Sequence, residues 1–117
     1  MTWKFELLKK PVGIPITEGP VWDGENIYFT HIHASTIFRY DPNTNAITPW
    51  RTGLDRTNGL AFDAQGRLFG CCQGGRRMMR FDPDGKNVVI ADKVDGQRLN
   101  TPNDLAPIAI GPGRNFR

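Results

Sequence analysis

Short apolar runs, each closed by a Gly, Asn or Asp-Pro turn, recur along the chain in nearly the same spelling. Glu18-Gly19-Pro20-Val21-Trp22-Asp23 opens one copy, Asn58-Gly59-Leu60-Ala61-Phe62-Asp63 the next, and Asn103-Asp104-Leu105-Ala106 begins a third. These starts lie 40 and 45 residues apart. Further on, Ile37-Phe38-Arg39-Tyr40-Asp41-Pro42 answers to Met78-Met79-Arg80-Phe81-Asp82-Pro83, and the copies close on Ala46-Ile47-Thr48 and Asn87-Val88-Val89-Ile90. Each copy predicts strand, Gly/Asn turn, strand, polar loop, strand, Asp-Pro turn, strand. Four strands repeating at about 40 residues are the mark of a β-propeller blade. The expected fold is therefore all-β: a β-propeller segment of about two blades plus the start of a third, over residues 14–106. A lead-in strand is expected over residues 1–13. Trp22, Phe29, Phe38, Tyr40, Phe62, Phe69 and Phe81 recur with the repeat and are expected to form the core between blades.

A propeller closes a ring of roughly four to eight blades. Two blades and a stub would leave outer faces uncovered, and repeat units need neighbours to bury their cores. The expectation is that another chain completes the ring or that the sequence is a fragment of a longer one. Residues 107–117 carry Pro107 and Pro112 where a central strand is due, which argues against that strand. They read as an aberrant or disordered tail, and a truncated or frameshifted product without a function of its own is one reading of the whole.

Charge narrows the partners. Net charge is +3, and apart from Arg76-Arg77 and Arg80 the cations are scattered. A nucleic-acid footprint wants a clustered basic face with interleaved aromatics, so no nucleic-acid partner is expected. No apolar stretch reaches membrane-span length, and no secretory leader is visible. Cys71 and Cys72 are adjacent, which rules out an ordinary framework disulfide between them. A cytoplasmic, reducing setting is the expectation.

Candidate chemistry follows from the repeat. A propeller lines its central channel with the first strand of each blade, so equivalent positions converge at one level. Glu18, Asn58 and Asn103 are equivalent, all oxygen-bearing, and suit a hard divalent cation. Asn-Gly and Pro-Asn-Asp are also ordinary turn pairs. Glu18, set between Ile16-Thr17 and Gly19-Pro20-Val21-Trp22, would be costly to bury unpaired; a cation or an arginine would offset that cost. His31 and His33 alternate on one strand and share a face. If the first two strands form a hairpin, His31 returns beside Glu18, either supporting the site or packing a loop. Cys71-Cys72 would reach the Asn58 end of their blade, where small buried residues are expected. Gly74-Gly75 lacks phosphate-loop spacing.

Glu18-Gly19-Pro20-Val21-Trp22, Asn58-Gly59-Leu60-Ala61-Phe62-Asp63 and Arg98-Leu99-Asn100-Thr101-Pro102-Asn103-Asp104-Leu105 together resemble the SMP-30/gluconolactonase family. The resemblance runs over about residues 14–106. It implies a six-bladed propeller that hydrolyses lactones or related esters with a divalent metal: calcium first, with zinc, magnesium or manganese as alternatives. Residue by residue, it implies Glu18 as a metal carboxylate and Asn103 as a substrate-binding asparagine. Asp104 would orient its loop, and Asn58 would line the channel. The family's later-blade ligands have no counterpart in this sequence, and Thr101 stands where some members carry a substrate arginine. The implied function is a fragment of a lactone or ester hydrolase, inactive alone. The alternative is a non-catalytic propeller that binds ligands at the channel mouth.

Overall fold

The computed structural model describes Trp3, Lys4, Glu6 and residues 16–108. Two four-stranded antiparallel sheets follow one another along the chain. The first is β1 (Thr17–Trp22), β2 (Ile27–His31), β3 (Thr36–Asp41) and β4 (Ala46–Arg51), in that spatial order. The second repeats it with β5 (Thr57–Phe62), β6 (Leu68–Cys72), β7 (Arg77–Phe81) and β8 (Asn87–Ala91). A two-stranded hairpin, β9 (Lys93–Val94) and β10 (Gln97–Arg98), comes next. All these elements are strands.

The repeat's aspartates build its turns. Asp23 Oδ1 accepts the Glu25 and Asn26 amides at 2.8 and 2.7 Å, and Gly24 takes a φ of 104° open to glycine. Asp63 Oδ1 likewise accepts Gln65 and Arg67 amides at 3.0 and 2.9 Å. Such Asx turns reverse the chain between Trp22 and Ile27 and between Phe62 and Leu68, and so set the hairpin registers. Consecutive strands then pair as meanders, with Val21 opposite Tyr28 and Ala61 opposite Phe69.

The sheets pack face to face through Tyr28 and Ile37 of the first and Leu60, Leu68, Cys72, Met79 and Phe81 of the second, with Leu54 from the connection. Ile37 and Phe81 are sealed from solvent, and such a side chain contributes about 1.5–3 kcal/mol by leaving water. Tyr28 stands edge-on to Trp50 at 5.3 Å and to Phe62 at 5.7 Å. Arg51 lies 4.3 Å above the Trp50 ring and donates to Asp82 O (2.6 Å), Lys86 O (3.2 Å) and Asn87 Oδ1 (2.7 Å), tying β4 to the β7–β8 turn.

The aromatic core differs from expectation in two ways. Thr17 pairs with His31 and Thr57 with Cys72, so Tyr28 rather than Phe29 answers to Phe69, and Phe29 answers to Gly70. A side chain at Gly70 would meet the Phe81 ring at 2.7 Å, whereas Phe29 stacks on Phe38 on the opposite face of the first sheet from Tyr28. Trp22 is 54 % exposed rather than part of the core. It answers to Phe62, whose face meets the first sheet; the corresponding face of the first sheet meets no second sheet among the described residues. The third copy shows no strand in 99–108. The lead-in expected over 1–13 and the tail 107–117 fall mostly outside the described residues.

Candidate functional site

The edge strands β1 and β5 meet at matching bulges. Pairing with the neighbouring strand shifts between Glu18 and Val21 in β1, and between Thr57 and Leu60 in β5. A bulge frees residues from the ladder and re-aims them, which here frees Gly19-Pro20, just after Glu18, and Asn58-Gly59. The glycines let the next copy approach. A Cβ on Gly19 would meet Leu60 N at 2.7 Å and Asn58 O at 2.8 Å; one on Gly59 would meet Asn103 O and Asp104 Oδ1 at 2.6 Å. Gly59 N also donates to Asn103 O at 2.8 Å. The buried Thr30 hydroxyl sits between the carbonyls of Glu18 (3.1 Å) and Asn58 (2.9 Å) as a shared donor.

The backbones of the three expected ligand positions are thus brought side by side, Glu18 to Asn58 and Asn58-Gly59 to Asn103. Their side chains differ in setting. Asn58 is 5 % exposed, and its Nδ2 donates to Gln73 Oε1 at 3.3 Å. Glu18 and Asn103 are exposed. Glu18 therefore keeps its water and needs no counter-charge for solvation; no arginine pairs with it among the described residues. Asp104 Oδ1 accepts the Leu105 amide at 2.9 Å, a bond that shapes its own segment.

His31 reaches the Glu18 end of the hairpin but not its face. It pairs with Thr17, while Glu18 pairs with Thr30, and neighbours in a strand point to opposite faces. His31 is 4 % exposed, accepts the Ala34 amide on Nδ1 at 3.1 Å and packs edge-on to Phe38. That is a histidine holding the β2–β3 turn. Its Nε2 is buried without a hydrogen-bond partner among the described residues. Thr30 and Gln73 were not singled out in the sequence; Gln73 lies in a polar turn, and only the fold brings it to Asn58.

The pattern of residues 16–111 matches the model of the SMP-30/Gluconolactonase/LRE-like region. The chain belongs to this family. A gluconolactonase of Zymomonas mobilis is 28 % identical over 104 residues, covering 76 % of this chain and 29 % of that protein. A gluconolactonase candidate of known X-ray structure superposes with a TM-score of 0.75 at 29 % identity, covering 85 % of this chain and 34 % of that one. A Xanthomonas campestris gluconolactonase gives 0.70 at 30 % identity, covering 75 % and 30 %. The chain spans about a third of the length of these SMP-30/gluconolactonase relatives.

In this family member the side chains of Glu18, Asn58 and Asn103 offer oxygens: one carboxylate and two amides. Their chemistry fits part of the shell of a hard cation, although no three His, Cys, Asp or Glu side chains converge among the described residues. The nearby thiols do not join that set. Burial, then Asp104 and Cys72, pushes the Cys71 thiol up to about 11. Cys72 is also raised, by burial first, and its Sγ lies 3.2 Å from Thr57 Oγ1. Both are buried neutral thiols. A cleft of about 780 Å³ against Phe69, Met78 and residues 105–108 contains none of the candidate residues.

Proposed function

We propose that the chain forms two blades of a propeller and carries part of the channel site of a divalent-metal-assisted lactone hydrolase. The observation that carries this reading is the contact of β1, β5 and the Asn103 segment through Gly19 and Gly59, which aligns Glu18, Asn58 and Asn103. The relatives' names supply the substrate class, a small sugar-acid lactone. A bound divalent cation, calcium or one of zinc, magnesium and manganese, supplies Lewis acidity to a carbonyl under attack by water. Glu18 would provide the negative charge that holds such an ion, and Asn58 would line the channel beside it. Asn103, exposed on the neighbouring segment, is placed to hydrogen-bond a sugar hydroxyl or the lactone ring. Asp104 keeps that segment in shape through its bond to the Leu105 amide.

With Glu18 as the one carboxylate assigned to the metal, the isolated chain is expected to leave glucono-δ-lactone hydrolysis at its spontaneous rate. The test is a chimera in which residues 16–106 replace the matching segment of the Zymomonas gluconolactonase, assayed by pH-stat. Metal-dependent turnover that is lost in Glu18→Gln supports the proposal. A folded chimera whose activity ignores Glu18→Gln or chelation refutes it. A second reading is a propeller that binds ligands at its channel mouth without chemistry. A folded, inactive chimera that still binds gluconate would select it.

A further inference from the structure

Arg76 ends the β6–β7 turn and Arg77 opens β7, and the fold sets two further arginines against this turn. On one side the Gln73 amide donates to Arg56 O at 3.1 Å and the Gly74 amide to Asp55 O at 2.8 Å. A Cβ on Gly74 would stand 3.6 Å from Arg56 Cβ, so the Arg56 side chain starts beside the turn's backbone. On the other side the turn and the end of β10 reach across to each other. Arg76 Nε donates to Leu99 O at 2.7 Å, and Arg98 Nη2 lies 3.4 Å from Gly75 O, a long hydrogen bond. The same turn carries Gln73, whose side chain accepts the Asn58 amide, so the arginines border the candidate site.

Charge is unbalanced here. Asp55 neutralises Arg77 at 2.6 Å. Arg56, Arg76 and Arg98 form no ion pair among the described residues, with Asp92 and Asp95 of the neighbouring hairpin or with any other carboxylate. Arg56 and Arg98 are exposed and Arg76 is half-buried. Beyond the two bonds above, their guanidinium nitrogens donate to nothing among the described residues. Arg56 and Arg76 have φ of 57° and 53°, values that a side-chain-bearing residue keeps only where its surroundings impose them. The stems are therefore held in place while the charged forks stay free.

A guanidinium fork matches the oxygens of a phosphate or carboxylate. Three of them exceed what a single carboxylate balances and suit a phosphoryl group, which carries nearly two negative charges. We propose that Arg56, Arg76 and Arg98 form a phosphoryl-binding subsite at the rim of the candidate site, and that its ligand is a phosphorylated sugar acid or the corresponding lactone. The identity of the ligand rests on the lactone-hydrolase reading above; the subsite itself does not.

The experiment titrates the ¹⁵N-labelled full chain with gluconate 6-phosphate, inorganic phosphate and gluconate, and melts each variant to confirm its fold. Amides of residues 56, 74–77 and 98–99 should shift together, with gluconate 6-phosphate binding at least about tenfold more tightly than either of the others. Arg76→Gln and Arg98→Gln should each weaken it about tenfold, the loss of one charge-assisted hydrogen bond, and Arg56→Gln should act in the same direction. Arg39→Gln removes an exposed charge from β3 and should leave binding unchanged. If inorganic phosphate binds as tightly as gluconate 6-phosphate, with the same dependence on the arginines, the subsite holds free phosphate and the sugar ligand is overturned. If no shifts cluster at these residues, or Arg39→Gln costs as much as Arg76→Gln, the subsite itself is overturned. If the gluconolactonase chimera is folded and inactive while these shifts persist, the lactone reading falls and the subsite stands.

Discussion

Gly19→Ala tests the contact on which the site depends. Two costs are expected, and they can be separated. The first is conformational: Gly19 has a φ of 58°, where an L side chain costs about 1–2 kcal/mol. The second is steric, since the new methyl would stand 2.7 Å from Leu60 N and 2.8 Å from Asn58 O. Both atoms belong to β5 backbone, which cannot swing aside as a side-chain tip can. Overpacking of this kind costs about 1–3 kcal/mol, so the total expected is about 2–5 kcal/mol. Gly53→Ala provides the control: its φ is 70°, with nothing within 4 Å of the added carbon. It should show the conformational cost alone. Urea unfolding of the three proteins gives the difference directly, provided the slope with denaturant is unchanged. If Gly19→Ala loses no more stability than Gly53→Ala, β1 and β5 are not in the close contact described, and the alignment of Glu18 with Asn58 loses its basis.

Two further outcomes follow from the packing and the thiols. Arg51→Lys should be nearly as destabilising as Arg51→Ala, by about 1–3 kcal/mol in urea unfolding, because a point charge cannot replace a fork that bonds Asp82 O, Lys86 O and Asn87 Oδ1 together; full rescue by lysine would contradict this. Cys71, raised from 9.0 to about 11 chiefly by burial, favours the fold while neutral. Its contribution is intact below about pH 9 and lost as pH rises to about 11, worth up to about 2–3 kcal/mol. Cys71→Ala should flatten that fall in a pH series of melts, and an unchanged slope would contradict the assignment.

The strand order was legible because the repeat carries it. Glu18-Gly19 and Asn58-Gly59 mark the entries, Asp23 and Asp63 the first turns, Asp41 and Asp82 the third, and each is where the sequence places it. What the repeat could not show is which face of each sheet meets a neighbour. A one-residue insertion in the second copy shifts Phe29 out of step with Phe69, and only the pairing of Thr17 with His31 and Thr57 with Cys72 reveals that Tyr28 is the core residue. Trp22 has the spelling of a core position and the exposure of a surface one, since burial depends on what covers its face. The candidate site was legible to the same degree. Equivalent positions pointed to Glu18, Asn58 and Asn103, but their differing exposure did not follow from spelling. The contact of Gln73 with Asn58 was beyond reach, because the two lie 15 residues apart and only the fold brings that turn to β5.

Manganese titration of the ¹⁵N-labelled chain tests the central claim most directly, since the paramagnetic ion broadens amides near it. The account predicts that resonances of residues 18–19, 58–59 and 103–104 broaden together at low manganese, while the β3–β4 and β7–β8 turns persist. Broadening centred on the surface aspartates of those turns, with the Glu18–Asn58 contact untouched, would contradict it.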